Sequence, residues 1–309
     1  MSIGATERTA PLEAGGAPSI GVVSVIVPHL DDYDNLDACL TLLREQSFPS
    51  ERTEIIVADN GSSRGLDAVR ELVGSRGRVV EVTERGAGPA RNAGVRASRG
   101  DALAFLDSDC RPDRRWLEEG LAGLRSADFV GGRVDVLVED PRRMTAVEAL
   151  ESVFAFQNER YVKNRKFTVT ASMFVPRSVF DAVGPFQNGV PEDIDWCRRA
   201  RLKGYRIGFA PQSIVGHPAR RTMDELKRKW RRLTLEWFAA ASRDGRGPVS
   251  MVLREWAVML TIAPDALVLM TSRRLGGAPN RMLAIGALAR IRAYRFVVAH
   301  RAILGLSEK

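Results

Sequence analysis

The sequence predicts an α/β fold, a mostly parallel sheet with helices on both faces, followed by a basic helical appendage. Three observations carry this reading. In the N-terminal third, short β-branched runs alternate with helix-periodic stretches, the pattern of strand–helix–strand units. The run Asp101-Ala102-Leu103-Ala104-Phe105-Leu106 is too short for a helix and almost continuously apolar, as in a parallel strand covered on both faces. The 309 residues, 45% hydrophobic and 27% charged, have an ordinary folded composition and suffice for one large α/β domain plus an appendage.

Taken in order, Val22 to Pro28 reads as a first strand, with a loop opening at His29. Leu36, Ala38, Leu40 and Leu43 then fall at helical spacing, and Ser47-Phe48-Pro49 stops that helix. Glu54 to Ala58 is a second strand, closed by the turn cluster Asp59-Asn60-Gly61-Ser62-Ser63. Leu66, Val69 and Leu72 mark the next helix, and Arg78 to Val82 a third strand. The following loop carries Gly86 and Gly88, but a dinucleotide fingerprint needs a third glycine where Arg91 stands, and it belongs to the first strand–helix turn. Arg91, near the start of a helix beginning around Pro89, is placed to meet a phosphate or a base, or else to form a surface salt bridge. The apolar strand then delivers Asp107-Ser108-Asp109 to the carboxyl edge of the sheet, where ligands of open α/β sheets bind. Two hard carboxylates there suit Mg or Mn bridging a diphosphate; the alternative is that they cap the next helix.

Pro112-Asp113 opens a helix through Trp116, Leu117, Leu121 and Leu124. Phe129 to Glu139 alternates Val134, Val136 and Val138 with polar neighbours, which predicts an antiparallel strand outside the parallel core. Met144 to Tyr161 is helical by spacing, Thr168 to Pro176 reads as a strand, and Ser178 to Val183 as a short helix ended by Gly184-Pro185. From Pro191 to Tyr205, acids open a helix, Arg and Lys close it and Gly204 ends it, so Glu192 and Asp193 sit at its N-terminus either as functional acids or as caps. A short strand from Arg206 to Ala210 follows, with His217 in an exposed loop.

Met1 to Ser19 lacks apolar periodicity and reads as a flexible leader without the apolar core of a signal peptide. Cys39, Cys110 and Cys197 are odd in number and widely spaced, so buried free thiols are expected rather than disulfides or a zinc site. The net charge of +8 is uneven: residues 220–309 hold 18 Lys and Arg against 7 Asp and Glu, and the remainder is net acidic. Such asymmetry points to an anionic partner, nucleic acid or a phospholipid surface. No nucleic-acid reader motif is present, and acids at strand and helix ends would repel a polyanion, so the lipid surface is preferred. Met223, Leu226, Trp230, Leu233 and Trp237 recur at helical spacing among basic residues; the two tryptophans suit a membrane interface, or the apolar face packs on the catalytic part. Residues 248–270 and 282–306 are apolar but interrupted by charges such as Arg254, Asp265, Arg290 and Arg295, and read as helices lying on a surface.

Five motifs in order, Val25-Ile26-Val27-Pro28, Val57-Ala58-Asp59-Asn60-Gly61-Ser62, Ala90-Arg91-Asn92-Ala93-Gly94, Phe105-Leu106-Asp107-Ser108-Asp109 and Glu192-Asp193-Ile194-Asp195-Trp196, resemble the GT-A glycosyltransferases of family 2 over roughly residues 20–240. The resemblance implies a Rossmann-like GT-A catalytic domain over 20–219, with a nucleotide-binding half at 20–110 and an acceptor half at 111–219, before the helical region 220–309. It implies an inverting, metal-dependent hexosyltransferase using a UDP, GDP or dTDP sugar and a hydroxyl acceptor. Pro28, Asp59, Arg91, Asp107, Ser108 and Glu192 would then line the donor: Asp59 at the base, Arg91 at base or phosphate, Asp107 at the ribose or the sugar. Asp109 would bind Mg or Mn, His217 would complete the metal shell, and Asp193 would be the catalytic base.

The acceptor is expected in the segment 140–170, with Glu148, Glu151, Trp116 and the group Asn158-Glu159-Arg160 available to it. A lipid-linked, polysaccharide or glycolipid intermediate fits a cytoplasmic enzyme held peripherally on the inner membrane face, and a homodimer through the C-terminal helices is compatible. The chain departs from the family where many members have a tyrosine and an asparagine after the first-strand proline. Here His29-Leu30-Asp31-Asp32 follow, without an aromatic to stack on the base; His29 either takes that place or lies solvated in the loop.

Overall fold

The computed structural model describes residues 20–306 apart from 244 and 246; the expected leader, residues 1–19, lies outside the described residues. Strand β1 (Val23–His29) sits near the middle of the sheet, between β2 (Thr53–Asp59) and β4 (Ala102–Phe105), which explains its apolar character on both faces. With β3 (Arg78–Glu81) these strands run parallel, crossed over by α1 (Tyr33–Arg44), α2 (Leu66–Val73) and α3 (Ala87–Ala97). After β4 come β5 (Arg111–Pro112), α4 (Trp116–Gly123), β6 (Phe129–Leu137), α5 (Ala146–Phe154), α6 (Asn158–Arg160), β7 (Met173–Pro176), α7 (Arg177–Val183), α8 (Glu192–Leu202) and β8 (Ile207–Pro218). The eight strands lie in the order β3-β2-β1-β4-β7-β6-β8-β5. β7 is antiparallel to both β4 and β6, whereas β6 and β8 are parallel and β5 is antiparallel to β8.

Two apolar cores sandwich the sheet, as strand alternation requires. On one face Val25, Val27 and Val57 meet Leu36 and Leu40 of α1 and Trp116 of α4. On the other, Ile26, Ile56 and Phe105 meet Phe180 of α7 and Trp196 of α8. Gly120 lets α4 lie flat on the sheet, because a Cβ there would fall 2.1 Å from the Phe174 ring of β7. All three cysteines are buried and free, and burial pushes the thiols of Cys110 and Cys197 well up.

The helices α9 (Met223–Arg243), α10 (Pro248–Leu260), α11 (Ile262–Thr271) and α12 (Ala278–Ile303) form the C-terminal region. Leu226, Leu269, Ala287, Leu288 and Ile291 share a third core with Val147, Leu150 and Val153 of α5. Trp230 packs into this layer under the Arg295 guanidinium, 3.9 Å from its ring centroid, and Arg254 covers Trp237 at 5.1 Å, so both tryptophans serve helix packing.

Several expectations are corrected. Pro112 does not open a helix: with Arg111 it pairs against Val215 and Gly216 of β8. The 144–161 helix breaks after Phe154, because Phe156 turns left-handed at φ +49° and residues 161–165 wind as a π turn. The strand expected at 168–176 keeps only its second half, since a 3₁₀ turn occupies Thr170–Ser172. The strand expected to end at Ala210 continues to Pro218, so His217 is a buried strand residue and not an exposed loop histidine. Pairing with β6 on one side and β5 on the other accounts for its length.

Candidate active site

Every sequence-predicted site residue lies at the carboxyl edge of β1, β2 or β4, at the head of α3 or α8, or near the end of β8. β1 and β2 end in register, so His29 pairs with Asp59. The Asp59 carboxylate, 2% exposed, accepts from the backbone N–H of Ser62 at 3.2 Å and from the Ser62 hydroxyl. Asn60 receives the Gly86 N–H at 2.8 Å and donates to the Glu84 carbonyl at 2.7 Å, which fixes the turn into α3. Gly86 is required there: its φ is +135°, and a Cβ would meet the Asn188 side-chain oxygen at 2.7 Å. One turn into α3, Asn92 exchanges two hydrogen bonds with the backbone of Phe186, at 2.8 and 2.9 Å. This clip holds α3 against the segment leading into α8.

The clip brings Arg91 between two acids from distant parts of the chain. Its Nη2 donates to Asp107 Oδ1 at 2.6 Å and its Nη1 to Glu192 Oε1 at 2.8 Å, with the side chain only 5% exposed. Burial works against the charge, but Asp107 and Glu192 overcome it, so the guanidinium is held more firmly protonated than usual. Asp193, next to Glu192 at the first turn of α8, keeps part of its surface open. Desolvation, followed by repulsion from Glu192, pushes its carboxyl up to about 7. The N–H of Ile194 donates to Asp193 Oδ1 at 2.7 Å and orients it.

Asp107-Ser108-Asp109 turns tightly, with the Cys110 N–H donating back to the Asp107 carbonyl at 3.0 Å. Arg111 secures the turn by donating to the Asp109 carbonyl at 3.1 Å and to Asn35 Oδ1 at 2.6 Å. The β5–β8 pairing then sets His217 beside Asp109, with Nε2 3.3 Å from Oδ2. His217 Nδ1 lies 2.8 Å from the Pro218 carbonyl, an acceptor that orients the ring and leaves Nε2 as the nitrogen facing the carboxylate. Asp109 Oδ1 is buried without a partner, and burial, reinforced by Asp107, raises its carboxyl while His217 opposes. One ligand atom each from Asp107, Asp109 and His217 falls within 4.8 Å of the others. Two carboxylates and an imidazole nitrogen converging beside an orphaned carboxylate oxygen form a donor set that fits a divalent cation.

The glycosyl transferase family 2 model matches residues 24–184. The glycosyltransferase AglE of Haloferax volcanii is 34% identical over 217 residues, 68% of this chain and 71% of that protein. The chain belongs to glycosyl transferase family 2. The pre-mycofactocin glycosyltransferase of Mycobacterium tuberculosis is 30% identical over 66% of this chain, which spans 44% of that protein. Among solved structures, the mannosyltransferase PcManGT from Pyrobaculum calidifontis, in complex with GDP-Man and Mn2+, superposes with a TM-score of 0.61 at 21% identity over 97% of this chain and 92% of its own. The fold is thus GT-A, and the activity is glycosyl transfer.

Several residues around this glycosyltransferase site escaped sequence reasoning. Tyr33, four residues past His29, sets its ring edge-on to the imidazole at 5.3 Å, and Arg64 lies over the Tyr33 ring at 4.7 Å. An aromatic thus stands at the first residue of α1, packed between His29 and Arg64, although none directly follows the proline. His29 is not solvated: it is 2% exposed, both ring nitrogens lack partners, and burial lowers its pKa despite Asp59 and Asp32. Phe156 stacks on His217 at 4.2 Å, a contact no local pattern signals. Of the residues offered for the acceptor, Trp116 is fully buried core, Glu148 closes the capping box with Thr145, and Glu151 is buried between Arg220 and Lys229. Asn158 is 2% exposed and bonded to the Gly132 carbonyl and Thr168, which leaves Glu159 and Arg160 at the surface.

Replacing Arg91 with methionine would leave Asp107 and Glu192 without their shared counter-charge. The expected cost is about 3–5 kcal/mol of stability, read by denaturant unfolding; a variant as stable as the wild type would refute the structural role given to this ion network.

Proposed function

We propose that this protein is an inverting hexosyltransferase that moves a sugar from a nucleoside-diphosphate sugar to a hydroxyl acceptor. The observation that carries this is the chain of contact from Asp109 and His217, through Asp107 and Arg91, to Glu192 and Asp193, which puts a cation-fitting donor set and a carboxyl titrating near neutrality in one site. Pro28, Asp59, Arg91, Asp107, Ser108 and Glu192 line the donor, with Asp59 at the base of a UDP, GDP or dTDP sugar. Solved structures of the same fold with GDP-Man and Mn2+, and with UDP and Mn2+, support a nucleotide donor with Mg or Mn held by Asp109 and His217. The chemistry such a cation supplies when bound is neutralisation of the diphosphate leaving group.

Asp193 takes the proton from the acceptor hydroxyl as that oxygen attacks the anomeric carbon from the face opposite the leaving diphosphate. A base with a pKa near the working pH is both unprotonated often enough and strong enough to do this. Arg91 fixes the position of Asp107 and Glu192, so the base and the donor side keep one geometry.

The division into a catalytic domain at 20–219 and a helical region at 220–309 fits peripheral attachment to the inner membrane face and a lipid-linked or glycolipid acceptor. Among the described residues, nearly all exposed large apolar side chains fall between 249 and 306, including Leu253, Trp256, Leu260, Leu267 and Leu304. Arginines lie among them, and no described helix is long and apolar enough to cross a membrane. Apolar surface with interspersed cations suits the headgroup layer of an anionic bilayer, at about 1 kcal/mol per engaged basic residue.

Asp193→Asn is expected to lower kcat by about 100- to 10,000-fold while leaving donor affinity intact. Because the raised carboxyl must lose its proton to act, wild-type kcat/KM should climb with pH through about 7. The same shift makes the folded state lose stability as pH rises from about 4 to about 7. Near-normal turnover by the Asn variant would sink the assignment and favour a catalytically silent scaffold. Chelation by EDTA should abolish donor turnover, and Mn2+ at a hundredfold excess over its Kd should stabilise the wild type by about 2.7 kcal/mol. Asp109→Asn should erase that stabilisation, and a variant still stabilised by Mn2+ would relocate the site. Sedimentation with phosphatidylglycerol vesicles at low salt should pellet the protein, less so at high salt or with Trp256→Ser and Leu260→Ser; a soluble dimer that ignores vesicles would assign the apolar face to a second copy instead.

A further inference from the structure

Between α5 and β7 the backbone leaves regular geometry repeatedly. Phe156 and Lys166 hold φ at +49° and +58°, and 161–165 is a π turn. Left-handed non-glycine residues persist only where their surroundings over-determine them, and π turns gather at functional sites. Here the result is placement. Phe156 covers the His217 ring, and the Lys229 ammonium lies 5.5 Å from the Phe156 ring centroid. Tyr161, in the π turn, stacks on Phe167 with ring centroids 4.9 Å apart, and burial pushes its phenol up. The segment therefore abuts the cation-fitting residues through Phe156.

A cleft of about 280 Å³ follows this segment, walled by residues 155–160, by Arg133 and Asp135 of β6, and by Arg274 from the turn between α11 and α12. Its charges do not cancel. Arg133 is paired with Asp135 at 2.8 Å, and Glu159 with Lys163 at 2.6 Å. Arg160, by contrast, reaches only the side-chain oxygen of Gln157 at 3.4 Å, and Arg274 the Ser152 carbonyl at 2.9 Å. Both guanidiniums are exposed, and neither has a carboxylate partner among the described residues. The volume is at the low end of ligand pockets, about 300–1,000 Å³, and suits the head of a larger molecule.

We propose that this cleft, whose Phe156 wall touches His217, binds a phosphate ester carried by the acceptor, gripped by Arg160 and Arg274. The proposal rests on the transferase reading above and names the class of its acceptor. Guanidinium is the side chain best matched to phosphate oxygens, through paired N–H donors in a planar fork. Arg274 belongs to the C-terminal helices, so the phosphate is drawn from either a membrane lipid or a soluble sugar phosphate.

The test is calorimetric binding to the full chain, without donor and with EDTA present, so that its outcome is independent of turnover and of the cation site. The probes are geranyl phosphate, glucose 1-phosphate, inorganic phosphate and geraniol. At least one ester is expected to bind tenfold or more tightly than geraniol. The double variant R160Q/R274Q should weaken this by at least about tenfold, the loss of one charge-assisted hydrogen bond, at an unchanged melting temperature. R160K/R274K should retain part of the affinity. Preference for geranyl phosphate assigns a lipid source, and preference for glucose 1-phosphate a soluble one. Esters that bind no better than geraniol, a double variant that binds as the wild type does, or binding of inorganic phosphate alone would each overturn the proposal.

Discussion

The buried guanidinium of Arg91 holds the two halves of the active site together. It comes from α3, in the parallel half, and its two nitrogen arms end on Asp107 after β4 and on Glu192 at the head of α8. A charge this deeply buried is tolerable only with both partners in place. Each partner is therefore constrained by the other: the loop after β4 cannot shift without stranding Glu192, nor α8 without stranding Asp107. Asn92 reinforces this from the next residue by clipping the backbone of Phe186. The loop after β4 and the head of α8 therefore keep one relative geometry.

How much of this was legible in the sequence follows from how local each signal is. The parallel half was readable because β1, β2 and β4 have continuous apolar centres, and Asp59 and Asp107, at or just past their ends, carry turn chemistry. The acids of α8 were readable because dipole and cap preferences act within one helix. What escaped was built by long-range pairing. β5 has two residues, too few for any periodicity, yet its register with β8 puts His217 beside Asp109. Likewise, nothing local distinguishes Phe156 from an ordinary helix residue, because its ring partner, His217, lies sixty-odd residues away. The acceptor candidates failed for a related reason: Trp116, Glu148 and Glu151 are polar or amphipathic residues whose partners come from other elements, so their burial could not be seen along the chain.

The electrostatics of the site divide by environment. Asp107 and Glu192 share the Arg91 guanidinium, and Asp59 accepts hydrogen bonds from the Ser62 hydroxyl and N–H. Asp109 and Asp193 have no cation of their own and are pushed toward the neutral form by burial. Two carboxyls left uncompensated in one site are the two that the proposed chemistry asks to act, one toward a metal and one toward a proton.

The core that α9, α11 and α12 share with α5 bears on how the chain can be divided. Val147, Leu150 and Val153 present an apolar stripe that only these later helices cover, and Glu151 on the same helix relies on Arg220 and Lys229 for its counter-charge. Cutting the polypeptide after the last strand would thus bare a greasy helix, strand a buried acid and remove the Lys229 ammonium that lies over Phe156, the neighbour of His217. The basic region is part of the scaffold of the reaction centre, and a shortened, better-behaved catalytic fragment is not something this fold offers.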